Sequence, residues 1–311
     1  MVKKLPITGT NIPMPLPESS SGSADNLFLE KFPCPDKNGR LLQETIRKFQ
    51  ELVLGFYHEH GRPMAWRETT DPYCILVSEI MLQQTQVERV AVKYPAFIAE
   101  FPDFSALASA PLPDVLSAWQ GMGYNRRAIA LRNSAQKVVA EYGGKLPEDP
   151  EILATFPGIG KATSSSIAAF AFNAPVTFIE TNIRRVFLHF FFGDREDVSD
   201  REIHPLVEQT LYRDNPRVWY WALMDLGTAL KKTGSNPNLR SRHYTRQSKF
   251  EGSDRQIRGA ILREVLGQPG IDRDMLLQKT SANQNRAEKI LNRLLKEGFI
   301  RAEGERVFPG Q

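Results

Sequence analysis

Residues 156–182 read Phe156-Pro157-Gly158-Ile159-Gly160-Lys161-Ala162-Thr163-Ser164-Ser165-Ser166-Ile167-Ala168-Ala169-Phe170-Ala171-Phe172-Asn173-Ala174-Pro175-Val176-Thr177-Phe178-Ile179-Glu180-Thr181-Asn182. Gly158 and Gly160 flank one residue, so the backbone there can turn with φ > 0 and approach a ligand closely. The small and apolar run Ala162 to Phe172 predicts a helix that packs tightly, with free N–H groups at its start able to hold an anion. A Walker loop is excluded, because Thr155 stands at the first glycine position and Ala162 follows Lys161. A dinucleotide fingerprint is excluded by Thr163 at the third glycine position. What remains is helix, glycine hairpin, helix, with an acid, Glu180, just before the next helix start. Two readings are open: an ordinary helix–helix turn, or a grip on a nucleic-acid phosphate with a carboxylate nearby.

Outward from this stretch, the chain of 311 residues is long enough for two domains and a sizeable core. Lys plus Arg exceeds Asp plus Glu by 40 − 36 = 4, a mildly basic balance compatible with nucleic acid. The apolar runs fall short of a membrane span and no signal peptide is recognisable, so no membrane partner is expected. Two cysteines, Cys34 and Cys74, suit a reducing compartment and cannot form a four-thiolate metal or iron–sulfur site. No metal or other cofactor is expected. Residues 1–40, rich in Pro, Ser, Gly and Asn, predict a flexible arm pinned in part by Leu27, Phe28 and Phe32. Helical periodicity begins at Leu41 and stops at Gly61-Arg62-Pro63.

Met64-Ala65-Trp66-Arg67 leads to Asp71-Pro72, a helix start, and then to a helix predicted over Tyr73 to Val90. Glu79 stands there among Ile75, Ile80, Met81 and Leu82, with Gln83 and Gln86 on its face. A carboxylate in apolar company has a raised pKa and suits a general acid near neutral pH. A surface Glu paired with Arg89 or Lys93 fits the composition as well.

Four motifs in order decide between these readings. Ser78-Glu79-Ile80-Met81-Leu82-Gln83-Gln84-Thr85-Gln86-Val87 resembles the signature of MutY-type adenine DNA glycosylases. Trp119-Gln120-Gly121-Met122-Gly123-Tyr124 with Arg126-Arg127-Ala128 resembles the next motif of that family. Phe156 to Thr163 resembles its helix-hairpin-helix, and Met224-Asp225-Leu226-Gly227 its later helix. The resemblance implies an all-α fold: a two-lobed helix-hairpin-helix core over residues 41–250, followed by a small winged-helix-like domain over 251–311. It implies catalytic roles for Glu79 as the acid protonating a flipped purine, for Glu180 facing the sugar cation or its adduct, and for Asn182 orienting Glu180. It implies DNA contacts by Gln83, Gln84, Thr85, Tyr124, Gly158, Gly160 and Lys161. Trp66 and Arg67 would line the base pocket, although Trp66 could equally be core.

The chain departs from that family at three places. Glu180 stands where the family has Asp. The segment 231–249, where the family carries an iron–sulfur cluster, has no cysteine and six Lys or Arg residues. A phosphate-contacting loop with Arg242 and Arg246, or a solvated linker, are its two readings. The 8-oxoguanine-reading domain is not recognisable. Three helices and a hairpin stand in its place, the third helix exposing Gln284, Arg286, Lys289, Arg293 and Lys296. A docking module fits that segment nearly as well as a winged helix. Ala162 occupies the position of the lysine nucleophile of endonuclease III relatives, so no Schiff-base lyase chemistry is expected. The expected function is monofunctional excision of a mispaired base from double-stranded DNA, adenine opposite guanine or 8-oxoguanine, by a cytoplasmic, nucleoid-associated monomer. Thymine or uracil excision opposite guanine, and a silent DNA-binding regulator, are the rival readings.

Overall fold

The structure, a computed structural model, describes residues 28–33, 35–36, 39–233, 236–245, 249–280 and 283–310. Cys34, Leu27, Arg246 and most of the expected N-terminal arm lie outside the described residues. Phe28 and Phe32 do pack: Phe32 is buried against Phe49, Phe190 and Phe191, and its N–H donates to the Phe190 carbonyl at 2.9 Å.

Helix α1 (Gln43–His60) buries Phe49, Leu52, Val53 and Phe56 along one stripe. A 3-10 turn (Ala65–Arg67) follows, and then α2 (Pro72–Leu82), started by the Asp71 carboxylate on the Tyr73 N–H at 2.8 Å. The helix predicted over Tyr73 to Val90 is two helices. It stops at Leu82, Gln84 turns with φ 54°, and α3 (Val87–Glu100) begins anew. The cause is tertiary. The Arg127 guanidinium donates to the carbonyls of Ile80, Met81 and Gln83, which ends the helix. Gln83, the C-cap one turn after Glu79, still lines the same pocket, whereas Gln86 caps the next helix and does not continue the face of Glu79.

Next come α4 (Phe104–Ser109), α5 (Leu112–Ala118), α6 (Arg126–Tyr142), α7 (Pro150–Leu153), α8 (Lys161–Phe172), α9 (Thr181–Phe191), α10 (Asp200–Thr210) and α11 (Pro216–Lys232). Two apolar cores result. One gathers α3 to α6 with Leu76, Ile80 and Ile167; the other gathers α1 and α9 to α11 with Ile75, Ala169 and Phe170. Helices α2 and α8 each feed both cores and pack on one another, so they form the floor between two lobes.

The chain ends in α12 (Asp254–Gly267), β1 (Ile271–Asp272), α13 (Arg273–Thr280), α14 (Gln284–Lys296), β2 (Ile300–Glu303) and β3 (Arg306–Pro309). The sheet is antiparallel in the order β1-β3-β2, with Val307 facing Ile271 on one side and Ala302 on the other. The hairpin stands where the sequence placed it, and β1 adds an edge that two residues could not announce. Ile261, Leu291 and Val307 are continuous with the core of the first lobe. Two arginines expected on the free basic face of α14 are engaged: Arg286 and Arg293 both pair with Asp254. Among the described residues, no helix is long and apolar enough to cross a membrane.

Candidate active site

A pocket of about 360 Å³ opens between the lobes over α2 and α8. It is lined by Glu79, Glu180, Asn182, Gln83, Gln84, Thr85, Trp66 and Arg67, so residues as far apart in the chain as Trp66 and Asn182 meet in one place. Trp66 serves both readings: it lines the pocket, yet is only 4% exposed and packs edge-on to Tyr94.

Glu79 leaves α2 on the side facing the second lobe, beside Ile75 and Leu82. It is bonded to neither Arg89 nor Lys93. The Ser166 hydroxyl of α8 donates to its Oε2 at 2.5 Å. Burial pushes its carboxyl up to about 7; the Ser166 bond opposes, the charge of Glu180 adds to the rise, and Arg67 opposes it. Such a group still carries its proton in a large share of molecules near neutral pH, where an ordinary carboxyl has lost it.

Glu180 caps α9. Its Oε1 accepts from the N–H groups of Asn182 (2.6 Å) and Ile183 (2.8 Å), and its Oε2 from the Asn182 side-chain amide (3.3 Å). Asn182 is itself held, since Arg185 donates to its Oδ1 and to the Gly227 carbonyl, both at 2.7 Å. A Cβ on Gly227 would lie 2.4 Å from the Asn182 carbonyl oxygen, so only glycine lets α11 cross α9 this closely. Burial raises the Glu180 carboxyl, while the two backbone N–H groups, Arg185 and Arg184 favour its charged form. The two carboxyls thus differ in kind: one hydroxyl partner for Glu79, a helix start and cations for Glu180.

Arg67 reaches the pocket with its guanidinium clamped on Asp225 by two bonds, at 2.8 and 2.9 Å, and stacked over Trp221 and Tyr57. Arg62 donates to the same carboxylate, which is 1% exposed. Burial acts to raise the Asp225 carboxyl, but Arg67 and Arg62 outweigh it and hold it below the usual range. Asp225→Asn leaves two guanidinium groups facing an amide, and is expected to lower stability by about 3–5 kcal/mol in urea unfolding at pH 7. A depressed carboxyl stabilises above its unfolded pKa, so the difference between wild type and variant should vanish as pH falls through the folded value. An unchanged urea midpoint at pH 7 would refute the clamp.

Gln83, at the end of α2, donates to the Gly158 carbonyl (3.1 Å) and to Thr163 Oγ1 (3.3 Å), tying that turn to the hairpin. Thr85 accepts from Arg127 at 2.9 Å. Gly158 turns with φ 72°, as expected; Gly160 does not, being the extended N-cap of α8 at φ −92°. Lys161 opens α8 and lines a neighbouring groove, whereas Ala162 borders the pocket. Tyr124 adopts φ 47° outside the pocket, and its hydroxyl accepts from Arg255 of α12 at 2.7 Å.

The described residues 236–245 after α11 pack onto the protein. Asn238 is buried, and its amide donates to the Thr181 carbonyl at 2.9 Å, beside Glu180. Arg242, expected on phosphate, pairs with Asp197 at 2.5 Å on the surface. Asp197 lies 45 positions upstream, out of reach of any local reading. The donors of this chain do not fit an iron–sulfur cluster: the segment has no thiol, and Cys74 sits in α2. Among the described residues, no group of three His, Cys, Asp or Glu side chains could hold a metal. Sequence reasoning missed Ser166, Arg185 and Arg62, whose partners are distant in the chain or, for Asn182, set by a helix crossing. Asp225 stands within the Met224 to Gly227 motif, but its partners Arg62 and Arg67 lie more than 150 positions upstream, beyond any local signal.

A family model described as "HhH-GPD superfamily base excision DNA repair protein" matches residues 77–209. The chain is 34% identical over 237 residues to the adenine DNA glycosylase of Mycobacterium tuberculosis (strain CDC 1551 / Oshkosh), across 68% of this chain and 76% of that protein. It is 34% identical over 227 residues to the adenine DNA glycosylase of Mycolicibacterium smegmatis, across 68% and 78%. Among solved structures, a thermostable thymine-DNA glycosylase is similar over 58% of this chain and 85% of its own, with a TM-score of 0.52 at 25% identity. Endonuclease III in a non-covalent DNA complex is similar over 60% and 85%, with a TM-score of 0.51 at 17% identity, a likeness of fold. With two lobes, a glycine hairpin and a two-carboxyl pocket between them, the chain belongs to the helix-hairpin-helix superfamily of base excision repair DNA glycosylases, among the MutY-type adenine DNA glycosylases.

Proposed function

We propose that the protein is a monofunctional glycosylase that removes adenine opposite guanine or 8-oxoguanine. The observation that carries this reading is the Glu79 carboxyl, pushed up to about 7 in a pocket it shares with Glu180. Once a purine has been flipped into the pocket, Glu79 gives its proton to N7. The C1′–N9 bond then breaks with its electron pair going to the base, and positive charge develops on the sugar. Glu180, oriented by Asn182, stabilises that charge. Water adds to C1′, its proton is lost, and an abasic site remains. A pyrimidine has no atom equivalent to N7, which favours adenine over thymine or uracil.

Ala162 supports the absence of lyase activity, since the pocket wall carries a methyl group where an amine nucleophile would stand. Gln83, Gln84, Thr85, Tyr124, Gly158, Gly160 and Lys161 keep their proposed roles toward DNA around this pocket. Arg242 binds phosphate only by exchanging Asp197 for it. The likeness to a thymine-DNA glycosylase makes thymine or uracil excision opposite guanine the second reading.

The test is a panel of end-labelled duplexes carrying A, T, U or hypoxanthine opposite G, and A opposite 8-oxoguanine, with hot alkali used to reveal abasic sites. Cleavage of both adenine duplexes is expected, and no nicks before alkali. Cleavage of T:G or U:G with both adenine duplexes intact would replace adenine by the second reading.

A further inference from the structure

Ser166, on the second turn of α8, has no part in the reaction as described above. It is 4% exposed, and its Oγ lies 2.5 Å from Glu79 Oε2 and 2.9 Å from the Thr163 carbonyl oxygen. Ser164 in the same helix provides an internal comparison. It is equally buried, and its hydroxyl donates to the Lys161 carbonyl at 3.0 Å, the usual back-bond of a helical serine. Ser166 has that bond and a second, shorter one to a carboxyl, although a hydroxyl carries a single hydrogen. The shorter contact, to the more basic acceptor, is where that hydrogen belongs.

We infer that Ser166 is a positioning residue for the acid: its hydroxyl donates to Glu79 Oε2, so that the carboxyl carries its proton on Oε1, toward the pocket. The inference rests on the reading of Glu79 as acid. The same donation stabilises the carboxylate left after proton transfer, working against burial. Two charged groups face Glu79 from the other elements packed around it: Glu180 at the start of α9 raises its affinity for a proton, and Arg67 of the 3-10 turn lowers it. Ser166 is a neutral partner that orients the carboxyl as well as tuning it.

The decisive measurement is a titration of carboxyl-13C-glutamate protein by NMR, with the Glu79 signal assigned by its loss in Glu79→Gln. Ser166→Ala is expected to move the Glu79 midpoint to higher pH by about one pH unit, the size of a hydrogen bond to a charged group. Ser166→Thr, which keeps the hydroxyl, should return it toward wild type, and Ser164→Ala should leave it in place. Single-turnover excision by Ser166→Ala should fall about tenfold on its acidic plateau, with the basic limb displaced in the same direction as the titration. An unmoved Glu79 midpoint in a folded Ser166→Ala protein would overturn the inference, whatever the duplex panel shows. A moved midpoint in a protein that cuts no duplex would instead keep the contact and remove the reading of Glu79 as acid.

Discussion

Glu79→Gln is expected to lower single-turnover excision by about 10²–10⁴-fold while leaving mismatch binding nearly unchanged, because the amide keeps the shape of the side chain but has no proton to give. In wild type, the rate should fall as pH rises through about 7, where the carboxyl loses the proton it must donate. The residual rate of the variant should be flat across that window. Stability supplies a second readout. A carboxyl raised from 4.5 to about 7 stabilises the fold fully below its unfolded pKa, and the contribution is lost as pH rises through the folded value. By pH 8 the ionised, buried Glu79 costs the fold on the order of 3 kcal/mol relative to a neutral group. Glu79→Gln should therefore be more stable than wild type in urea at pH 8 and close to it at pH 4. A variant that cuts at the wild-type rate and unfolds at the wild-type midpoint at pH 8 would make Glu79 an ordinary surface residue.

The duplex panel and this variant test different links. The panel asks which base enters the pocket, and Glu79→Gln asks whether the pocket protonates it. The structural basis of both is the pairing of α2 with α8. Those two helices feed both cores, so the acid is fixed to each lobe rather than carried on a loop.

What could be read from the sequence follows from how local each signal is. The glycine hairpin, the helix start at Glu180 and the three C-terminal helices are set by neighbours in the chain, and all stand close to their expected places. The break at Gln83–Gln86 is different. Its sequence is compatible with a continuous helix, and the guanidinium that ends it comes from Arg127, more than 40 positions away. The carboxylates were legible because they sit in motifs. Their partners were not: Ser166 is one of three consecutive serines, and only the packing of α8 on α2 decides which one meets Glu79. Arg242 failed for the same reason in reverse, since a basic run cannot disclose that Asp197 will face it. Net charge predicts a partner's sign, whereas the ion pairs that use up that charge are tertiary.

Glu180 stands where the family resemblance leads one to expect an aspartate, and two substitutions there separate charge from reach. Glu180→Gln keeps an oxygen to accept from the Asn182 and Ile183 N–H groups, so α9 should stay capped and the fold intact. It removes the negative charge opposite the developing sugar cation, and excision should fall by about 10²–10³-fold. Since the charge of Glu180 also raises the Glu79 carboxyl, the basic limb of the remaining activity should move to lower pH. Glu180→Asp keeps the charge and supplies a better helix cap, but withdraws the carboxylate by one methylene from a site that Asn182, Arg185 and Gly227 hold rigid. A misplacement of about 1 Å is worth roughly 10²-fold, so Glu180→Asp should retain wild-type stability, keep the limb near its original pH, and lose about 10–100-fold in rate. A rate equal to or above wild type would mean that the pocket tolerates either acid. Loss in both variants with the limb fixed in both would mean that Glu180 caps a helix and does not act on the sugar or on Glu79.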